Sequence, residues 1–363
     1  MFYFDRRLLA NVDWLLLAAA AGVLALGGLT LGSLTMTRAG SGLVLRQLLW
    51  DGVGVGALIA VASLDYRNLI RAAPAFYLAG LLALLAVFVM GRSVSGARRW
   101  IPVGPLTVQP SELFKFAFVL MVVWVLTWRW AQPVGTATLG LAAAVLLPPF
   151  VLIVKQPDLG TALVLVPVLV LLLVGAGIRL RLLGGVAAAG LSAMPVIWFA
   201  LKEYQRERLL VYLDPFRDPL GTAYNVIQAK IAIGSGQFLG KGIAGATQSR
   251  LAFLPERHTD FIFAVFAEMW GFVGCLVLIL CYAVIVTRGF GIAATAREPL
   301  GRLAAVGATA LLAAETLINL GMVTGLLPIV GIPLPMMSYG GSSLVVSMMA
   351  LGLLLSVRMR QFA

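Results

Sequence analysis

The chain has 363 residues, 61% of them apolar and only 12% charged, and its mean hydropathy is +0.99. A soluble globular domain carries about 25% charged residues, so the composition excludes that class and points to a protein built into a bilayer. The net charge of +12 does not indicate a nucleic-acid binder: the arginines are spread over helix ends, where they meet anionic lipid, and no soluble domain offers a basic and aromatic stripe.

A helix needs about 20 mostly apolar residues to cross the hydrocarbon, because every backbone amide must be satisfied within the segment. In chain order such stretches fall near 12–33, 47–63, 73–91, 112–128, 135–154, 160–178, 183–201, 261–287, 301–325 and 337–357, the second and fourth being short. The pattern predicts an all-α polytopic membrane protein of about ten transmembrane helices, forming one integral-membrane domain over 1–363. One large extracytoplasmic loop, 202–260, separates helices seven and eight. The first stretch is too long for the core of a signal peptide and lacks a clear cleavage site. With the N-terminus inside, the cytoplasmic segments hold 12 arginines and the short outer loops 6 Arg and Lys. The positive-inside rule therefore places both termini in the cytoplasm and the exempt long loop outside. Cys275 and Cys281 lie six residues apart in the eighth stretch, on different helix faces, and read as small apolar residues rather than a disulfide.

Polar chemistry gathers in the outer intervals. Residues 96–115 are rich in turn formers and then open a helix: Pro110 suits the first helical position and Glu112 the positive first turn. Glu112 and Lys115, three apart, share one face. Charges within a span are costly and usually face an interior, so the two either neutralise each other structurally or line a cavity. Gln156-Pro-Asp158-Leu-Gly-Thr161 repeats the plan before the sixth span; Asp158 caps that helix, holds a cation or orients Lys115. Within the long loop, 221–233 has the near-helical apolar spacing of a helix lying on the membrane surface. The glycine-rich 234–242 is not a phosphate-binding P-loop, since no glycine stands five residues before Gly240 and Gly242 replaces the required Ser or Thr.

The loop ends at Leu254-Pro-Glu-Arg-His-Thr-Asp260, which includes the single histidine, His258. Asp260 stands at the mouth of the eighth span. It is either the N-cap of that helix, worth about 1 kcal/mol, or a reactive carboxylate, with Glu256, His258 and Thr259 beside it and Glu268 further into the span. Arg98, Arg99, Arg208 and Arg217 belong to an external basic excess that suits an anionic substrate or simply solvated surface. Ser338-Tyr-Gly-Gly-Ser-Ser343 follows a Pro and Gly run; its small residues leave amide donors for an anion or serve close helix packing. A single histidine excludes Cys/His metal spacings.

At these residues the chain resembles the SEDS family (shape, elongation, division and sporulation), and within it the RodA branch. The matching pieces are GARRW at 96–100, QPSE at 109–112 with Lys115, QPDLGTA at 156–162, AIGSG at 232–236, LPERHTDFIFAV at 254–265, and GLLPIVGIPLP with SYGGSS over 325–343. Two departures stand out. The family often has paired acids where Glu268 is followed by Met269, and SYGGSS fits the FtsW branch equally. The resemblance implies a peptidoglycan polymerase of the bacterial inner membrane, acting on lipid II at the extracytoplasmic face, with its essential acid at the position of Asp260. It further implies a class B penicillin-binding protein as partner, among other membrane proteins of the elongation complex. A lipid II flippase and a non-catalytic scaffold are the competing readings; a carrier should show an inverted repeat and broken helices meeting at midplane, and no repeat is visible.

The expected chemistry is economical. An α-linked pyrophosphate donor and a β-1,4 product require one inverting displacement, hence one base for the acceptor 4-hydroxyl. Pyrophosphate leaves without the second carboxyl that glycosidases use, but needs positive charge around it. Glu112, Lys115, Asp158 and Ser338 are the remaining candidates to support a bound substrate. No cofactor is required, although magnesium or manganese could accompany the pyrophosphate.

Overall fold

A computed structural model describes residues 11–35, 41–94, 97–103, 106–128, 135–200, 203–214, 218, 223–246 and 256–361. The apolar stretches form ten helices in sequence: α1 (Trp14–Thr35), α2 (Ser41–Ser63), α4 (Ala73–Met90), α5 (Pro110–Trp128), α6 (Thr136–Lys155), α7 (Leu159–Gly175), α8 (Leu180–Ala200), α12 (Ile262–Thr295), α13 (Pro299–Thr324) and α14 (Gly341–Arg360). Among the described residues eight helices are long and apolar enough to cross a membrane, and α7 (Leu159–Gly175) is a shorter apolar helix. The shortest span is the sixth, α7, at 17 residues, whereas the second and fourth run to 23 and 19. α2 begins six residues earlier than 47 and α5 includes Pro110, because polar residues such as Arg46, Gln47 and Ser111 sit on helix ends without ending them.

Contacts sort the helix ends into two faces. At one face Arg288 forks onto Asp13 (2.6 Å), Arg67 pairs with Glu298 (2.7 Å) and Arg360 donates to the carbonyls of Ala62 and Ser63. The short helix α3 (Tyr66–Arg71) lies there, capped by Asp65. At the other face Gln109 meets Ser342, Arg99 meets the α6–α7 connection, and His258 meets Tyr339. Successive spans therefore run antiparallel. α5, α13 and α14 form the buried centre, while α2 and α4 lie outside. The run Ala304-Ala-Val-Gly-Ala-Thr-Ala310 gives α13 the small side chains that let apolar helices approach closely in lipid.

Three features depart from the sequence reading. Residues 92–108 are not mere turns but an antiparallel meander of β1 (Arg92–Val94), β2 (Ala97–Val103) and β3 (Leu106–Val108), with Ile101 opposite Val108. Its β-branched and aromatic residues (Trp100, Ile101, Val103, Val108) suit a pleated surface. The long loop contains α9 (Glu203–Leu213), α10 (Tyr224–Gly236) and α11 (Gly242–Gly245). α10 packs on α12 and α13 and buries Ala229 and Ala232. Finally, α12 is broken at Gly271 (φ 62°, ψ −160°), where an unbroken span had been expected.

The break is filled by the turn that follows α10. Phe272 and Val273 donate their amides to the carbonyls of Gln237 and Phe238 (2.8 and 3.1 Å), and Lys241 N–H donates to Glu268 O (3.0 Å). Backbone groups freed at membrane depth must find such partners. Gly271 and Gly240 both have positive φ, and a Cβ on Gly271 would overlap Gly240 N, so only glycine suits this crossing.

Candidate active site

The motif around Asp260 folds as a tight turn over 256–261. Glu256 takes left-handed backbone (φ 50°), and its carbonyl accepts from Thr259 N–H and Phe261 N–H (3.2 and 3.4 Å). Thr259 Oγ1 also lies 3.2 Å from both Glu256 O and Glu256 Oε2. The N-cap of α12 is Phe261, without a side-chain capping bond, so Asp260 precedes the cap position instead of occupying it.

Three neutral groups from the last third of the chain hold this turn. Asn319, fully buried on α13, donates one amide hydrogen to Asp260 O (2.9 Å) and the other to Ile332 O (2.6 Å). Ser338 donates to Thr259 O and accepts from Leu334 N–H, both at 2.7 Å. Tyr339 N–H donates to His258 O (2.8 Å). Three consecutive carbonyls, 258 to 260, are thereby tied to α13 and the Pro-Gly segment after it. Gly331 (φ 71°) lies beside the carboxylate; a Cβ there would stand 3.1 Å from Asp260 Oδ2. The Gly and Pro content of 327–335 thus serves backbone approach to an acid.

His258 is half-buried, with its Nδ1 lacking a hydrogen-bond partner among the described residues. Burial first, then the Arg257 guanidinium, hold its pKa below the ordinary 6.5 against the opposing pull of Glu256. The imidazole is neutral at pH 7 and contributes no cation.

The other expected site residues divide into separate groups. Asp158 is the N-cap of α7, accepting from Thr161 N–H, and its second oxygen takes bonds from Gln109 Nε2 (2.8 Å) and Ser111 Oγ (2.9 Å). Arg99 reaches over it, 3.8 Å from Asp158 Oδ1, with its other nitrogens on the carbonyls of Gln156 and Pro157. Asp158 therefore caps and pins β2 to the α6–α7 corner; it does not orient Lys115. Lys115 is buried between Glu112 (2.7 Å) and Glu315. Glu268, fully buried, lies 3.9 Å from Lys241 Nζ beside the helix break. Glu256 is exposed. Arg217 and the side chains of Arg98 and Arg208 lie outside the described residues. Among the described residues no group of three or more His, Cys, Asp and Glu could hold a metal, so the donor set offers no protein cage for magnesium or manganese.

Sequence reasoning missed Glu315 and Asn319. Both were legible in principle: two polar residues four apart in an otherwise apolar span share a face, and polar groups inside a membrane are seldom idle.

The fold and site together define a polytopic membrane protein in which a braced turn carrying Asp260 leads into a broken helix. The family FTSW_RODA_SPOVE, described as "Cell cycle protein", matches residues 9–362. The chain is 41% identical over 317 residues to peptidoglycan glycosyltransferase MrdB of Escherichia coli K12, covering 87% of this chain and 85% of that one. It is 38% identical over 321 residues to probable peptidoglycan glycosyltransferase FtsW of Geobacter metallireducens, covering 87% and 84%. Among solved structures, a chain from work on polymerization and crosslinking by a peptidoglycan synthase complex superposes with TM-score 0.83 at 35% identity, covering 97% and 98%. Thermus thermophilus rod shape determining protein RodA superposes with TM-score 0.73 at 32% identity, covering 97% and 98%. The chain belongs to the FtsW/RodA/SpoVE family of cell cycle proteins.

Proposed function

We propose that this chain is a peptidoglycan glycosyltransferase that lengthens glycan strands from lipid II, with Asp260 as general base. The observation that carries the reading is the brace on Asp260: Asn319, Ser338 and Tyr339 hold its turn through neutral groups. A base must keep its place while its proton affinity changes, and neutral partners on the main chain allow that.

In the proposed step Asp260 takes the proton of the acceptor 4-hydroxyl as that oxygen attacks the donor's anomeric carbon. The bond from that carbon to the pyrophosphate oxygen breaks, and the α configuration becomes β. The positive N-terminal end of α12 lies next to the carboxylate, and a bound lipid would shield it from water. Countercharge for the departing diphosphate is assigned to the basic residues of 202–260, Arg208 and Arg217 among them. Arg99 is committed to the α6–α7 corner and is left out of that role.

The same reading places the chain in the bacterial inner membrane with both termini in the cytoplasm and Asp260 outside, supported by the excess of arginine on the face opposite the site. A class B penicillin-binding protein is the proposed partner, because a solved relative spanning 98% of its own chain comes from a complex that polymerises and crosslinks.

The test is purified full-length protein with labelled lipid II, compared with Asp260→Asn. The variant should lose polymer by at least about 10²- to 10⁴-fold, the range of general-base assistance, with an unchanged melting temperature. Native-rate polymerisation by the variant would refute the assignment. Transport of lipid II without polymer by either protein would favour a carrier, a reading that the break at Gly271 supports.

A further inference from the structure

Deep in the bundle three ionisable side chains share one buried space. Lys115 Nζ on α5 lies 2.7 Å from Glu112 Oε2, one turn earlier, and donates to Glu315 Oε1 on α13. Lys115 and Glu315 are each 1% exposed and Glu112 4%. Glu315 Oε2 is buried without a hydrogen-bond partner among the described residues. Two carboxylates and one ammonium leave an excess of one negative charge, in the most buried part of a membrane protein.

Among the described residues, nothing packed around the triad supplies the missing positive charge: on α3, Arg67 pairs with Glu298 and Arg71 bonds to Asn68, and on β2, Arg99 serves Asp158. α7 carries no ionisable residue, and α14 has only Arg358 and Arg360 at its far end. α6 has only Lys155, at its own end. α4 has Tyr77, which donates to Val145 O. α12 presents Tyr282, whose hydroxyl is committed to Pro335 O (2.6 Å), with Cys281 beside it; its charged residues, Glu268 and Arg288, pair with Lys241 and Asp13. On α10, Lys230 is exposed. An unbalanced buried charge is expensive enough that a group neutralises instead. A metal cation is disfavoured because the Lys115 ammonium already sits between the carboxylates.

We propose that the Glu112–Lys115–Glu315 triad is a proton-binding site, holding one exchangeable proton at neutral pH with Glu315 Oε2 as the oxygen open to it. Binding makes the triad neutral, with Lys115 charged, one carboxyl ionised and one protonated. This does not depend on the role given to Asp260.

Infrared spectroscopy of the full-length protein in lipid nanodiscs at pH 7 tests it. The wild type should show the C=O band of a neutral carboxylic acid, moving in deuterated water. Glu315→Gln and Glu112→Gln should both abolish it, since the remaining carboxylate then balances Lys115. Both amides preserve side-chain shape, and unchanged melting temperatures would show that they fold. Lys115→Met should add a second acid band of equal intensity. Absence of the band from wild type, or its persistence in both Gln variants, would place the proton elsewhere and overturn the proposal. Loss of the wild-type band on adding sodium chloride would assign a metal cation and overturn it equally.

Discussion

The helix ends around Asp13 and Glu298 and the turn that carries Asp260 are held by different physics. At the face of Asp13, Arg67, Glu298 and Arg288, opposite charges meet directly, and helix ends are tied by guanidinium forks. There the Arg67 hydrogen bonds hold the Glu298 carboxyl below its ordinary pKa, and Tyr66 is pushed up to about 12 by burial and by its bond to Glu298. At the Asp260 face the turn is held by an amide, a hydroxyl and a backbone N–H, none of them charged. Ion pairs suit helix ends that serve stability alone; neutral donors suit the proton exchange proposed for Asp260.

Substitutions can break or sharpen this contrast. Asn319→Leu should have the largest effect, because it strands Asp260 O and Ile332 O at about 1–3 kcal/mol each. If the brace also positions the base, kcat for lipid II should fall with KM nearly unchanged, and a misplacement of about 1 Å can cost 10²-fold. A KM-only effect would show that the brace serves binding. Ser338→Ala removes two bonds at the same turn and should lower stability by about 1–3 kcal/mol, read as a shift in thermal unfolding in detergent, with a smaller fall in kcat.

His258 gives a pH signature confined to this face. Its folded pKa lies below the unfolded 6.5, so the unfolded chain binds more protons in between. Stability should be level above pH 6.5 and fall as pH drops below it, by at most about 1.4 kcal/mol per unit. His258→Gln should flatten that decline; an unchanged slope would assign it to other groups. The smallest effect is expected at the opposite face. Arg67 and Glu298 side chains are 35% and 45% exposed, so Glu298→Gln should cost about 0.2–1 kcal/mol, fade in high salt and leave polymerisation intact. A loss of activity there would contradict the contrast between these ion pairs and the Asp260 turn.

Much of this was readable beforehand. Apolar length alone marks all ten helices, since a bilayer demands about 20 residues of one kind. Pro110, Glu112 and Asp158 announce their helix starts, because capping chemistry is local. The meander at 92–108 and the break at Gly271 were hidden. A turn-rich segment becomes a sheet only when its register closes, and a glycine in an apolar run breaks a helix only where another turn is present to satisfy its amides. Lys115 was correctly marked as an interior charge, but its second acid comes from a helix 200 residues later.

Sequence by itself determined the class, the order of the spans, the arginine asymmetry and the acid at 260, for these depend on composition, length and near neighbours along the chain. Tertiary structure alone decided that Asn319 and Ser338 hold that acid's turn, that Arg99 serves Asp158, and that Glu315 leaves Lys115 outnumbered. Those depend on which helix faces meet, and close packing between distant segments leaves no periodic trace in either one.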